Sequence, residues 1–204
     1  MKELKIKRIL AQKKFLKIKP GFSLIELLVS IAIIVAITGL FFASYRTANK
    51  QAELVRSVSD LSSSYRKALN QSLGLSESDG AISEGGWGVH IDLRSDTSKY
   101  YIFADKNNDG KFNDGEASEI NGGETVNTPK DVSIDSISAL NSLGTSISLE
   151  YLDILYIPPH PTIIFYSSDT TDPLIEAEIT MINSKTGNTK AVEVNFVGLI
   201  DMID

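Results

Sequence analysis

The sequence predicts an α+β protein, a long N-terminal α-helix packed on an antiparallel β-sheet head. Three observations carry this. Leu27 to Tyr45 are nineteen residues without a charge, a helical rod of roughly 28 Å, close to the hydrocarbon thickness of a bilayer. Arg46 to Ser72 is rich in helix formers, with Leu54, Val58, Leu61, Tyr65 and Ala68 or Leu69 spaced by three and four, the stripe of an amphipathic helix. Beyond Ser76 the pattern changes to short alternating runs separated by turn residues, and a helix followed by consecutive strands gives antiparallel pairing.

In chain order, residues 1–21 read as a basic leader. Residues 1–20 hold eight Lys or Arg and one acid, a side-chain charge of +7, which leaves −13 of the whole-chain −6 for the remainder. By the positive-inside rule the basic tail stays cytoplasmic and the acidic remainder is placed outside. The leader ends in Pro20-Gly21, which reads as a cleavage site before Phe22. It lacks the small-residue cut after the apolar core that marks an ordinary secretory signal, so the apolar helix stays with the mature protein.

Residues 22–45 form the membrane half of the helix and 46–73 the amphipathic half, with Ser57, Asp60, Ser64 and Lys67 off the apolar stripe and Gly74 as a stop signal. Gly39 reads either as a point of local loosening during assembly or, the plainer account, as a small residue at a helix contact. Glu26, the acid just before the uncharged run, costs on the order of a few kcal/mol at the edge of lipid, so it calls for a partner and reads as functional.

Residues 74–204 form the β-rich head. Trp87 to Leu93, Tyr100 to Ala104, Ile175 to Ile182 and Ala191 to Val197 alternate, which gives each strand one buried and one solvated face. Lys185-Thr-Gly-Asn188 reads as a hairpin turn. Further strands are expected at Ile147 to Leu155 and, after the stiff connector Pro158 to Pro161, at Thr162 to Tyr166; Ser136 to Ser148 is merely Ser-rich. With no cysteine, neither a disulfide nor thiolate chemistry is available.

The sharpest local chemistry is in residues 105–116. Asp105-Lys-Asn107-Asn-Asp109-Gly110-Lys-Phe-Asn-Asp-Gly-Glu116 satisfies the calcium-loop pattern D-x-[DN]-x-[DN]-G-x5-E. A hard cation takes six to eight oxygens, and alternate side chains of a tight loop converge on one point. Asp105, Asn107 and Asp109 would supply side-chain oxygens and Lys111 its backbone carbonyl. Asn113 would act directly or through water, and Glu116 would close the site with both oxygens. A β-like run enters the loop and no amphipathic helix leaves it, so a structural Ca²⁺ staple is expected rather than a sensor that opens.

The run Gly21-Phe-Ser-Leu-Ile-Glu26 resembles the signature of type IV prepilins and type II secretion pseudopilins. The resemblance implies cleavage after Gly21 by a prepilin peptidase, N-methylation of Phe22, and a Glu26 that attracts the Phe22 ammonium of a neighbouring subunit during assembly. The partners it implies are that peptidase, sister pilin or pseudopilin subunits, an inner-membrane platform protein and, indirectly, an assembly ATPase. The implied location is the cytoplasmic (inner) membrane, spanned once with the head outside, then an extracellular pilus or periplasmic pseudopilus. Gly86-Trp-Gly-Val-His90, Tyr101 to Asp105, Pro161 to Phe165 and Val197 to Ile200 together make the head similar to H-type, FimT-like minor pseudopilins.

Catalysis finds no support at this level: His90 and His160 are isolated, and no Ser, Cys or metal constellation accompanies either. Trp87, beside glycines at a strand start, reads as a core or sheet-edge anchor. From Glu150 to Asp204 only Lys185 and Lys190 are positive, against nine acids, so electrostatics oppose direct nucleic-acid capture. The expected function is therefore a non-enzymatic filament subunit; the alternative is a binding module at a filament tip, an adhesin or a DNA-uptake minor pilin.

Overall fold

The computed structural model describes residues 21–74, 77–78, 81–83, 85–116, 123–159 and 162–203. Residues 1–20 of the expected leader, and His160 and Pro161 of the expected connector, lie outside the described residues. The chain divides into two units at Ser44/Tyr45.

Helix α1 runs Leu24–Leu73, 50 residues. In the first unit its described side chains are exposed, and the helix is long and apolar enough to cross a membrane. Two hydroxyls it carries there donate one turn back, Ser30 Oγ to Glu26 O at 2.7 Å and Thr38 Oγ1 to Ile34 O at 2.7 Å, so neither offers its donor to an apolar medium.

In the second unit the same helix carries the core. Leu54, Val58, Leu61, Tyr65 and Ala68 are buried and Leu69 partly so, joined in one cluster with residues of two sheets. The helix meets both sheets, Ser64 at Tyr100 and Arg66 at the Ile200 carbonyl, and its buried face is wider than one stripe. Ser57 and Ser64, expected on the polar side, are buried. Each is satisfied by its own helix, donating to Glu53 O and Asp60 O at 2.9 Å, and Ser64 Oγ also lies 3.2 Å from Tyr100 Oη.

The expected antiparallel β head is present: its described residues form two five-stranded antiparallel sheets, after a two-stranded pair, β1 (Glu77–Ser78) and β2 (Ala81–Ile82). The first sheet contains β3 (Trp87–Asp92), β4 (Lys99–Ala104), β5 (Glu124–Asn127), β8 (Tyr151–Ile157) and β9 (Thr162–Tyr166), in the order β5-β4-β3-β8-β9. The second contains β6 (Val132–Asn141), β7 (Ser146–Leu149), β10 (Leu174–Asn183), β11 (Thr189–Asn195) and β12 (Ile200–Ile203), in the order β12-β11-β10-β6-β7.

Two corrections concern strands. β6 occupies the Ser-rich stretch that sequence pattern leaves unassigned. Its pairing with β10 shifts register so that Met181 faces Ile134 while Thr180 faces Ser136. This bulge moves the buried positions from Val132 and Ile134 to Ile137, Ala139 and Asn141, which breaks the period of two. The single run expected at Ile147 to Leu155 is two strands in different sheets. At the crossing, the Glu150 and Tyr151 N–H groups both donate to Asp169 Oδ2, at 2.7 and 3.0 Å, so one carboxylate satisfies the backbone where the ladder stops.

The first sheet is also buried on both faces at its centre. Val89, Ile91, Ile102, Leu152 and Ile154 face the helix-bearing core. On the opposite face His90, Phe103, Asp153 and Leu155 are buried as well, because the loop after β4 folds over them.

Candidate functional site

The loop 105–116 starts where β4 ends. Asp105 is fully buried and its backbone is fixed on both sides, its N–H donating to Gly86 O at 3.0 Å and its carbonyl accepting from Ser83 Oγ at 2.6 Å. Gly85 permits this approach: a Cβ there would lie 2.5 Å from Asp105 Cγ. The chain then turns through Asn108 (φ 56°) and Gly110 (φ 78°), the left-handed conformations that a tight cation loop requires.

All six expected ligand residues fall in this one loop, and their polar atoms interlock. Asp105 Oδ1 and Oδ2 accept the N–H groups of Asp109 and Gly110 at 3.3 and 2.8 Å. Asp109 accepts from the amide groups of Asn107 (3.1 Å) and Asn113 (3.1 and 3.0 Å) and from Lys111 N–H (3.2 Å). Asn113 Nδ2 lies 3.4 Å from the Lys111 carbonyl. Glu116 closes the ring, accepting Lys106 N–H at 3.2 Å and Asn113 N–H at 2.8 Å.

The electrostatics are those of gathered acids. Burial pushes the Glu116 carboxyl up, and the charges of Asp105 and Asp109 add to that, while the two backbone donors oppose it. Burial pushes Asp109 the same way, but its amide and backbone donors outweigh it and hold it below the usual carboxylate range. Among the described residues no three His, Cys, Asp or Glu side chains are grouped so as to hold a metal by themselves. A cation here would also use Asn107, Asn113 and the Lys111 carbonyl, all hard oxygen donors suited to Ca²⁺. A half-turn of the Asn113 amide exchanges its nitrogen for its oxygen at the same place.

Against this loop lies a cluster that reasoning from sequence missed. Asp153, on β8 and fully buried, has Oδ1 2.6 Å from His90 Nδ1, while Oδ2 accepts from Tyr151 Oη at 2.8 Å and from Phe112 N–H at 2.9 Å. As a carboxylate Asp153 only accepts, so His90 Nδ1 carries the proton of that bond. Burial pushes the Tyr151 hydroxyl up, and the Asp153 charge pushes it further; it remains a donor. Phe112 stacks on His90 with centroids 4.1 Å apart and planes 21° apart. A cleft of about 650 Å³ opens between this part of the loop and the sheet, lined by His90, Tyr101, Phe112, Asn113 and Tyr151 among others. The usable signal was an acid inside the apolar run Tyr151-Leu-Asp-Ile-Leu-Tyr156, since a buried charge must find partners elsewhere in the fold.

The assembly residues are placed separately. Gly21, Phe22 and Glu26 are exposed in the first unit. Ser23 Oγ accepts Glu26 N–H at 3.3 Å, so Ser23 caps α1 and Glu26 stands at its third position, in its first turn. Ser-x-x-Glu is half of a capping box by sequence alone, a second reason for a carboxylate here beside any partner it finds.

Residues 17–42 match the family model described as the prokaryotic N-terminal methylation motif. No curated protein and no solved structure matches the chain. The motif supports the type IV prepilin and pseudopilin family, and with the one helix among the described residues that is long and apolar enough to cross a membrane it suggests a membrane-anchored protein.

Proposed function

We propose that this chain is a non-enzymatic structural subunit of a type IV pilus-like filament or type II secretion pseudopilus. The observation that carries the reading is the methylation motif over residues 17–42, set at the start of a helix whose described first-unit side chains are exposed and mostly apolar. A prepilin peptidase cuts after Gly21, and Phe22 becomes the methylated N-terminus. The apolar half of α1 anchors in the cytoplasmic membrane with the head outside, then passes into the filament core.

Glu26 guides docking. A carboxylate and an ammonium brought together in a low-dielectric bundle offset each other's burial penalty, and the Phe22 ammonium of a neighbouring subunit is the cation of matching depth. Sister subunits, a platform protein and an assembly ATPase complete the machinery. Within this reading the head is of the H-type, FimT-like minor kind, as its strand and loop motifs suggest.

Calcium, in the proposal, rigidifies the head through Asp105, Asn107, Asp109, the Lys111 carbonyl, Asn113 and Glu116. What supports it is the gathering of these oxygens in one loop with the left-handed turn at Gly110. Bound there, the ion would neutralise three clustered carboxylates.

Expressed with the assembly machinery, the wild-type chain is expected to enter filaments, whereas Gly21→Ala and Glu26→Ala abolish incorporation with the head still folded. Normal filament incorporation of both variants would overturn the reading. A second reading, a binding module at a filament tip, is favoured by the cleft beside His90. It predicts head variants that lose ligand capture and keep filaments. Within it, an adhesin suits the acidic head better than a DNA-uptake subunit.

A further inference from the structure

Phe112 lies between two residues of the proposed ligand set, Lys111 and Asn113, yet its backbone hydrogen bond and its ring contacts go to the sheet. Its N–H donates to Asp153 Oδ2 at 2.9 Å. Its ring stacks on His90 and Tyr101, with centroids at 4.1 and 5.5 Å, and meets Phe103 edge-on at 5.3 Å. The loop thus rests on the sheet through the very residue that separates two of its oxygen donors.

Asp153 ties the loop to the sheet. It is fully buried, and its donors come from three places: His90 on β3, Tyr151 on β8 and Phe112 in the loop. A buried carboxylate that loses a donor keeps its desolvation penalty. Lifting the loop therefore removes one of the three donors of Asp153, leaving it His90 and Tyr151, and disturbing Asp153 removes the acceptor that holds the loop between Lys111 and Asn113.

We infer that Asp153, His90 and Phe112 form a latch that positions the Lys111 carbonyl and Asn113 for a cation, so that cation binding and the cleft beside His90 are coupled. The inference rests on the calcium reading of the loop. Coupling is reciprocal: the factor by which the closed latch raises cation affinity is the factor by which the cation favours the closed latch. Phe112 and Asn113 of the loop and His90, Tyr101 and Tyr151 of the sheet all line the cleft. Occupancy of the loop consequently sets the shape of the cleft, which makes it a calcium-dependent surface. Asp153 and Phe112 are positioning residues; neither offers an atom to the ion.

The test is a calorimetric titration of calcium chloride into the full chain in detergent micelles, with the His90 ring resonances followed by NMR in the same titration. The wild type is expected to bind, with the His90 signals moving in step with the heat. Phe112→Ala retains every proposed ligand atom and should bind about tenfold more weakly, its His90 signals no longer following calcium; Phe112→Tyr, which keeps the ring, should restore both. Wild-type affinity in Phe112→Ala, or His90 signals that stay still while the wild type binds, would overturn the latch and leave the calcium reading standing. No binding by the wild type at millimolar calcium would overturn the calcium reading itself, and the coupling with it.

Discussion

Glu178 and Glu193 face each other directly across adjacent antiparallel strands β10 and β11, and Asp201 on β12 continues the row. Like charges in register oppose pairing. Burial raises the Glu193 carboxyl above its ordinary 4.5, and the charges of Glu176, Asp201 and Glu178 raise it further.

Glu193→Gln should therefore stabilise the head at neutral pH, by roughly 0.2–1 kcal/mol. A raised carboxyl contributes stability that is complete below its ordinary pKa and is lost as pH rises through the folded value. Thermal melts of wild type and variant should thus coincide best at the acid end and separate as pH rises above 4.5. A variant less stable than wild type at neutral pH would mean that Glu193 has a favourable partner.

The opposite sign is expected at Asp131, which precedes β6 and hydrogen-bonds Lys50 of α1. That bond holds its carboxyl below the ordinary 3.8. The stability it contributes is present above that value and lost as pH falls through the lowered one. Asp131→Asn should destabilise the head at neutral pH, with the difference from wild type closing as the melt is moved below pH 3.8.

Leu61 is fully buried in the cluster that joins α1 to both sheets. Leu61→Ala should cost about 2–5 kcal/mol, measured by denaturant unfolding of the detergent-solubilised chain. Val55, exposed on the same helix, should tolerate alanine with little change. Equal losses at the two positions would contradict the helix register.

Removal of calcium should lower the melting temperature of the wild type and leave Glu116→Gln unaffected. The glutamine keeps a carbonyl oxygen but loses the charge and the second acidic oxygen that would close the site. A chelator that shifts both proteins equally would place the effect outside the loop. Gly85→Ala should weaken the same response, because its Cβ would collide with Asp105.

Reading the sequence for period recovers what depends on one element at a time. The stripe from Leu54 to Ala68 is visible because a helix repeats its buried face, and the loop 105–116 is visible because its chemistry is contiguous. The bulge that changes the buried parity of β6 between Ile134 and Ile137 hides that strand from any test of alternation. Glu150 looks like an ordinary strand residue; only Asp169, nineteen positions away, reveals the break. His90 and Asp153 are 63 residues apart, and each alone looks incidental. Their pairing is a product of β3 lying beside β8, which no local pattern encodes.

The central claim is that the helix begins at a processed, methylated Phe22 and reaches a filament in that form. The most direct measurement is mass spectrometry of the N-terminal peptide of this chain recovered from sheared filaments. The account predicts N-methylphenylalanine at Phe22 with residues 1–21 removed. A peptide that retains the leader, or that begins elsewhere than Phe22, would contradict it.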